Sequence, residues 1–215
     1  MIVKVCGVRT PEIADVAIAA GADWLGLVLV PGSPRHADHQ AACAIVANVR
    51  GRADLVGVMV SPTAQECSDA AARYRLSAVQ VHGDIRPSLA VESPVPIIRA
   101  LNLRHPANAL VDEWWPDLLL LLDAAPDSEA DLPGGTGKRV DEEAAAALAR
   151  HRHVILAGGL DAGNVTGAIE RVRPDGVDAS SGLESAPGVK DAARVEAYVH
   201  AARVAFDAAA ARRVP

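Results

Sequence analysis

The sequence is short of aromatic residues, cysteine and basic clusters, and it has no long uncharged apolar run. Phenylalanine, tyrosine and tryptophan together make up 3% of the 215 residues. None interleaves with a basic stripe of the kind that grips a nucleic-acid backbone, so nucleic acid is not an expected partner. No apolar segment reaches the roughly 18 residues of a membrane-spanning helix. The first residues also lack the charged lead and apolar core of a secretory signal. Three cysteines, Cys6, Cys43 and Cys67, are an odd number without metal-ligand spacing. That argues against a disulfide framework or a metal site and suits a reducing compartment. With a net charge of -6 spread along the chain, the expectation is a soluble, cytoplasmic protein with no membrane partner.

Half of the residues are hydrophobic and 22% are charged, which is the balance of a folded globular chain. A chain of this length buries about 70% of its unfolded surface and needs no disulfide or metal to fold. Short Val/Leu/Ile runs recur: "IVKVCG", "WLGLVLV", "DLVGVMV", "AVQVHG", "PIIRAL", "DLLLLLDA", "HVILAGG" and "GVDASSG". Helical patterns separate them. The first is "TPEIADVAIAAGA", with Thr10 at the N-cap, Pro11 at the first helical position and Ile13, Val16, Ala17 and Ala20 on one face. A weak helix is expected around "RPSLAVE", and the segment holding Trp114 and Trp115 is poorly patterned.

Near-continuous apolar strands signal burial on both faces, as in parallel sheets. Eight strands, each followed by a helix or a candidate, fit an open doubly wound sheet or a closed barrel. The fold class expected is α/β, a single (β/α)8 TIM barrel spanning residues 1–215, near the lower end of barrel length. Cys43 and Cys67 fall on the second and third helices and read as small buried hydrophobes.

In such a barrel the C-terminal strand ends and their loops form the active face. Polar residues close the strands here: Cys6-Gly7, "PGSPR" with Arg35, His82-Gly83, Arg99, Asp123, Gly158-Gly159, and Asp178 followed by Ser180-Ser181-Gly182. Each alone reads equally as a loop hydrogen-bonder or a turn residue; together on one rim they read as a site. Glycines let backbone N–H groups approach an anion, and a helix N-terminus adds positive potential. The loops after strands 7 and 8 hold Gly158, Gly159, Ser181 and Gly182, and "GGTGK" with Gly135 precedes the sixth helix, which points to a phosphorylated small molecule. "GGTGK" lacks the four-residue spacer of a P-loop and a Ser/Thr after Lys138, so nucleotide hydrolysis is disfavoured.

"KVCG", "GADWLGLVLVPGSPR", "VQVHG", "LLLLLDA", "GGTGK", "LAGGL" with Asn164, and "VDASSGLESAPGVKD" follow one another in this order. From Lys4 to Asp191 the chain thereby resembles the phosphoribosylanthranilate isomerases of tryptophan biosynthesis. It departs in having Leu27, Leu29 and Met59 where family members often carry phenylalanine, and no aromatic residue after "GGTGK". The resemblance implies an Amadori rearrangement of N-(5'-phosphoribosyl)anthranilate to 1-(2-carboxyphenylamino)-1-deoxyribulose 5-phosphate, without metal or organic cofactor. It further implies Cys6 as general base, Asp123 as general acid and Arg35 as the holder of the anthranilate carboxylate. His82 and Asp178 would line the ribosyl part, and the enzyme would be a monomer or a homodimer.

That chemistry asks for a protonated carboxyl at Asp123, which the preceding leucine run favours, and for a thiolate at Cys6, which helix N-termini and Lys4 would favour. Lys4 lies two residues before Cys6 and on the same side of the strand. Two alternatives stand beside this reading. One is a histidine-pathway or bifunctional sugar-phosphate isomerase, which the cysteine at strand 1 and "SPT" after strand 3 count against. The other is a non-catalytic phosphosugar-binding barrel.

Overall fold

A computed structural model describes residues 1–103, 118–124 and 140–212. Eight parallel strands close into a barrel in chain order: β1 (Ile2–Cys6), β2 (Trp24–Val28), β3 (Asp54–Val60), β4 (Ala78–His82), β5 (Ile97–Asn102), β6 (Leu120–Asp123), β7 (Val154–Leu156) and β8 (Gly176–Ala179). Pairing of β1 with β8, from Ile2↔Gly176 to Val5↔Ala179, shuts the ring.

Helices α1 (Pro11–Ala20), α2 (His39–Val49), α3 (Ala64–Tyr74), α4 (Leu89–Glu92), α5 (Glu142–Ala149), α6 (Val165–Val172) and α7 (Ala192–Ala211) surround it. Thr10 caps α1 by accepting from the Ile13 N–H, with Pro11 just inside. The weak helix expected at "RPSLAVE" shrinks to the four residues of α4.

The two-residue period of a strand sorts the apolar runs into two cores. Val3, Val5, Leu25, Leu27, Val79, Val81, Leu120 and Leu122 belong to the large core shared with the helices. The alternate positions Val56, Ala78, Ile98, Leu121 and Ile155 fill the barrel interior. Further along the same inward rows stand Lys4, Cys6, Gln80, His82, Asp123 and Asp178, all buried. The site is therefore the polar continuation of the inner core.

Three sequence expectations change here. Arg99 does not close a strand: β5 runs on to Asn102, and Arg99 alternates with inward-facing Ile98 and Ala100, so it points out of the barrel. Cys43 is exposed rather than buried, because α2 buries Ala42, Ile45 and Val49; Cys67 is buried as expected. A two-stranded hairpin, β9 (Glu184–Ala186) with β10 (Val189–Lys190), also stands between β8 and α7, where the sequence offered no element. Gly135, the rest of "GGTGK" and Trp114-Trp115 lie outside the described residues.

Candidate active site

The mouth of the barrel opens as a cleft of about 720 Å³, continuous with solvent. Its wall brings together Cys6, Arg35, His82, Asp123, Gly158, Gly159, Asp178 and Ser181 from the sequence expectation. Gly182 lies in the 3₁₀ turn that follows, Ser181–Leu183, where a Cβ would stand 2.2 Å from the Leu160 carbonyl oxygen. Among the described residues no cluster of His, Cys, Asp and Glu is arranged to hold a metal ion.

Cys6 ends β1 directly opposite Gly26 of β2. A Cβ at residue 26 would come within 2.7 Å of the Cys6 sulfur, so glycine is required for the thiol to sit there. Around it Val28, Val58 and Val30 form a small apolar cluster. Burial raises the thiol above its ordinary value, outweighing the pull of Lys4 and Lys190 towards thiolate. The expectation that Lys4 and helix ends would make the thiol acidic is thus half met. The cation is there, and desolvation is the stronger effect.

Asp123 ends β6, three strands round the ring from Cys6. Its Oδ1 accepts the Ala124 N–H at 2.8 Å. Burial raises the carboxyl to about 6, against the lowering effect of that hydrogen bond and of Lys4 and Arg35, while the Asp178 charge adds to the rise. The upward direction expected for Asp123 is found, and burial is its cause.

Beneath the cleft, Lys4 donates to Asp178 Oδ2 at 2.7 Å and to Gln80 Oε1 at 2.9 Å. Burial alone would lower the Lys4 ammonium; Asp178 and Cys6 together hold it above its usual value. The barrel position proposed for Lys4 from strand parity is the one found. Asp178 Oδ1 is buried without a hydrogen-bond partner among the described residues. His82, whose value burial and Lys4 lower to about 4, is a neutral imidazole at pH 7.

Two site residues escaped the sequence reading. Glu184, at the start of β9, takes Arg35 Nε and Nη2 on its two oxygens at 2.8 Å each, and Lys190 on Oε1 at 2.6 Å. Burial by itself would raise the Glu184 carboxyl, but Arg35 and Lys190 hold it below the usual range. Lys190 also donates to the Ser180 carbonyl at 3.1 Å. Nothing local in the sequence joins them: Arg35 follows β2 and Glu184 follows β8, two strands apart round the ring and 149 positions apart in the chain. Ser180 in turn donates to the Cys6 carbonyl at 3.2 Å, tying the hairpin region to β1.

Residues 3–201 match the family described as N-(5'phosphoribosyl)anthranilate (PRA) isomerase. An N-(5'-phosphoribosyl)anthranilate isomerase of Azorhizobium caulinodans is 40% identical over 94% of this chain and 92% of its own length. Monomers generated from the dimeric phosphoribosylanthranilate isomerase of Thermotoga maritima superpose with a TM-score of 0.83 at 29% identity, over 95% of this chain and 100% of theirs. A phosphoribosyl anthranilate isomerase in complex with reduced 1-(o-carboxyphenylamino)-1-deoxyribulose 5-phosphate gives a TM-score of 0.79 at 30% identity, over 95% of this chain and 100% of that one. With its closed eight-stranded barrel and a family match over nearly all its length, the chain belongs to the N-(5'-phosphoribosyl)anthranilate isomerase family.

Proposed function

We propose that the chain isomerises N-(5'-phosphoribosyl)anthranilate to 1-(2-carboxyphenylamino)-1-deoxyribulose 5-phosphate in tryptophan biosynthesis, with Cys6 as general base and Asp123 as general acid. The observation that carries this reading is the placing of both groups, buried, on the wall of one cleft in a member of the isomerase family. Opening the furanose needs a proton on the ring oxygen, and Asp123 is the carboxyl held at about 6. The following step removes the proton from the carbon bearing the 2'-hydroxyl, the task of Cys6.

Burial favours the proton on the thiol, whereas productive turnover needs it on Asp123 and off Cys6. The pair carries one proton at neutral pH in either arrangement, so the productive form is a minor tautomer of the resting pair. General acid–base groups of this kind contribute on the order of 100- to 10,000-fold each.

Arg35, oriented by the two oxygens of Glu184, would hold the anthranilate carboxylate. Asp178 and His82 line the part of the cleft that would receive the ribosyl hydroxyls. Gly158 and Gly159, both in left-handed backbone conformations at φ 84° and 60°, would receive the phosphate with Ser181. Gly182 and Gly135 complete the proposed phosphate loops.

A bifunctional enzyme would need a second phosphate cradle after β3. There the Glu66 carboxylate accepts from the Thr63 N–H and hydroxyl at 2.8 Å each and caps α3, which disfavours an anion at that helix end. Among the described residues no helix is long and apolar enough to cross a membrane; a cytoplasmic monomer or homodimer suits the reading.

The test is to supply phosphoribosylanthranilate made in situ, follow loss of its fluorescence, and run the histidine-pathway substrate in parallel. Turnover of the first alone is expected. Turnover of the second, or of neither, would replace this reading with one of the two alternatives.

A further inference from the structure

Asp178, Lys4, Gln80 and His82 form one line of hydrogen bonds through the barrel interior, and each link constrains the next. The Lys4 ammonium has donors only. It gives one to Asp178 and one to Gln80 Oε1. The Gln80 amide is thereby fixed, because turned over it would set its NH₂ group against the ammonium. Its Nε2 then faces His82 Nε2 at 2.8 Å. An amide NH₂ offers no lone pair, so the imidazole must accept at that nitrogen. A neutral imidazole that accepts at Nε2 carries its proton on Nδ1. All four side chains are buried, and the low value of about 4 keeps the ring neutral in physiological conditions.

We propose that Lys4 and Gln80 are positioning residues that lock His82 as its Nδ1–H tautomer, so that it presents a hydrogen-bond donor to an oxygen of the bound phosphosugar and transfers no proton itself. The identity of that ligand rests on the isomerase reading; the tautomer does not. Asp178, at the other end of the line, borders the same cleft. A ligand oxygen with a free lone pair, a hydroxyl included, fits the Nδ1–H donor, and a group that can only donate does not.

The direct test is long-range ¹H–¹⁵N correlation on protein labelled with ¹⁵N-histidine at neutral pH. His82 is identified among the seven histidines by the signal lost in His82→Asn. The wild-type ring is expected to carry its proton on Nδ1. A proton on Nε2, or on both nitrogens, overturns the proposal, and neither result depends on enzyme activity. Gln80→Glu replaces the NH₂ with a second acceptor and is expected to bring a proton onto Nε2; an unchanged spectrum would show that Gln80 does not set the tautomer. In steady-state kinetics, His82→Leu is expected to raise KM about tenfold or more with a smaller change in kcat. A large fall in kcat at unchanged KM would make His82 a proton-transfer group and overturn the second half of the proposal.

Discussion

Asp123 trades stability for chemistry. Its carboxyl moves from an ordinary 3.8 to about 6 on folding, because burial penalises the charged form. A folded value above the unfolded one stabilises the fold below pH ~4, and that contribution is lost as the pH rises through about 6. The rise from 3.8 to about 6 corresponds to about 3 kcal/mol. Asp123→Asn cannot ionise and can keep the bond from Ala124, so it should be more stable than wild type at pH 7 by up to about 3 kcal/mol, and by far less at pH 4. Urea denaturation at the two pH values checks this; a less stable variant at pH 7 would contradict the origin given for the raised value. Glu184 acts through Arg35 and is 7% exposed. Glu184→Gln removes the charge behind three bonds, two from Arg35 and one from Lys190, and replaces one accepting oxygen by a donor; it should raise KM by about tenfold with a smaller loss in kcat. An unchanged KM would detach Arg35 from substrate binding.

At the scale of elements, β1 and β2 are fitted to each other at one point. Gly26 leaves room for the Cys6 sulfur, and the backbone of β2 does the rest. Gly26→Ala forces a contact of 2.7 Å unless the thiol moves. The expected result is a retained barrel by circular dichroism, a stability loss of about 1–3 kcal/mol and a fall in turnover of at least tenfold. Full turnover would show that the thiol position is not critical.

The strands themselves were legible in the sequence because both faces are apolar, and the run of polar residues at their ends marked the rim. Strand parity was enough to set Lys4 under Cys6. Arg99 misled because its strand continues three residues further, and an apolar run gives no information on where pairing stops. Cys43 is exposed because helical phase, which residue type does not reveal, sets burial on α2. The β9–β10 hairpin was illegible: two and three residues carry no period, and its role depends on Arg35 reaching it from a loop 149 positions away.

Over the whole molecule, one ring of strands divides the labour. Its lower interior is a dry core of Val56, Ala78, Ile98, Leu121 and Ile155, and its upper interior is a buried polar line that ends at a cleft. Closure in strict chain order brings Cys6 and Asp123, 117 residues apart in the sequence, onto the wall of one cavity. The fold followed from periodicity, whereas the pairing of Glu184 with Arg35 and Lys190 is a product of the closed ring and became visible only there. The central claim is that these two strand ends perform the isomerisation. It is tested most directly by single-turnover and steady-state rates on phosphoribosylanthranilate for wild type, Cys6→Ser and Asp123→Asn, each checked for an intact fold. Efficient wild-type turnover with a loss of at least about 100-fold in each variant is predicted; near-wild-type rates in either variant, or none in the wild type, would contradict it.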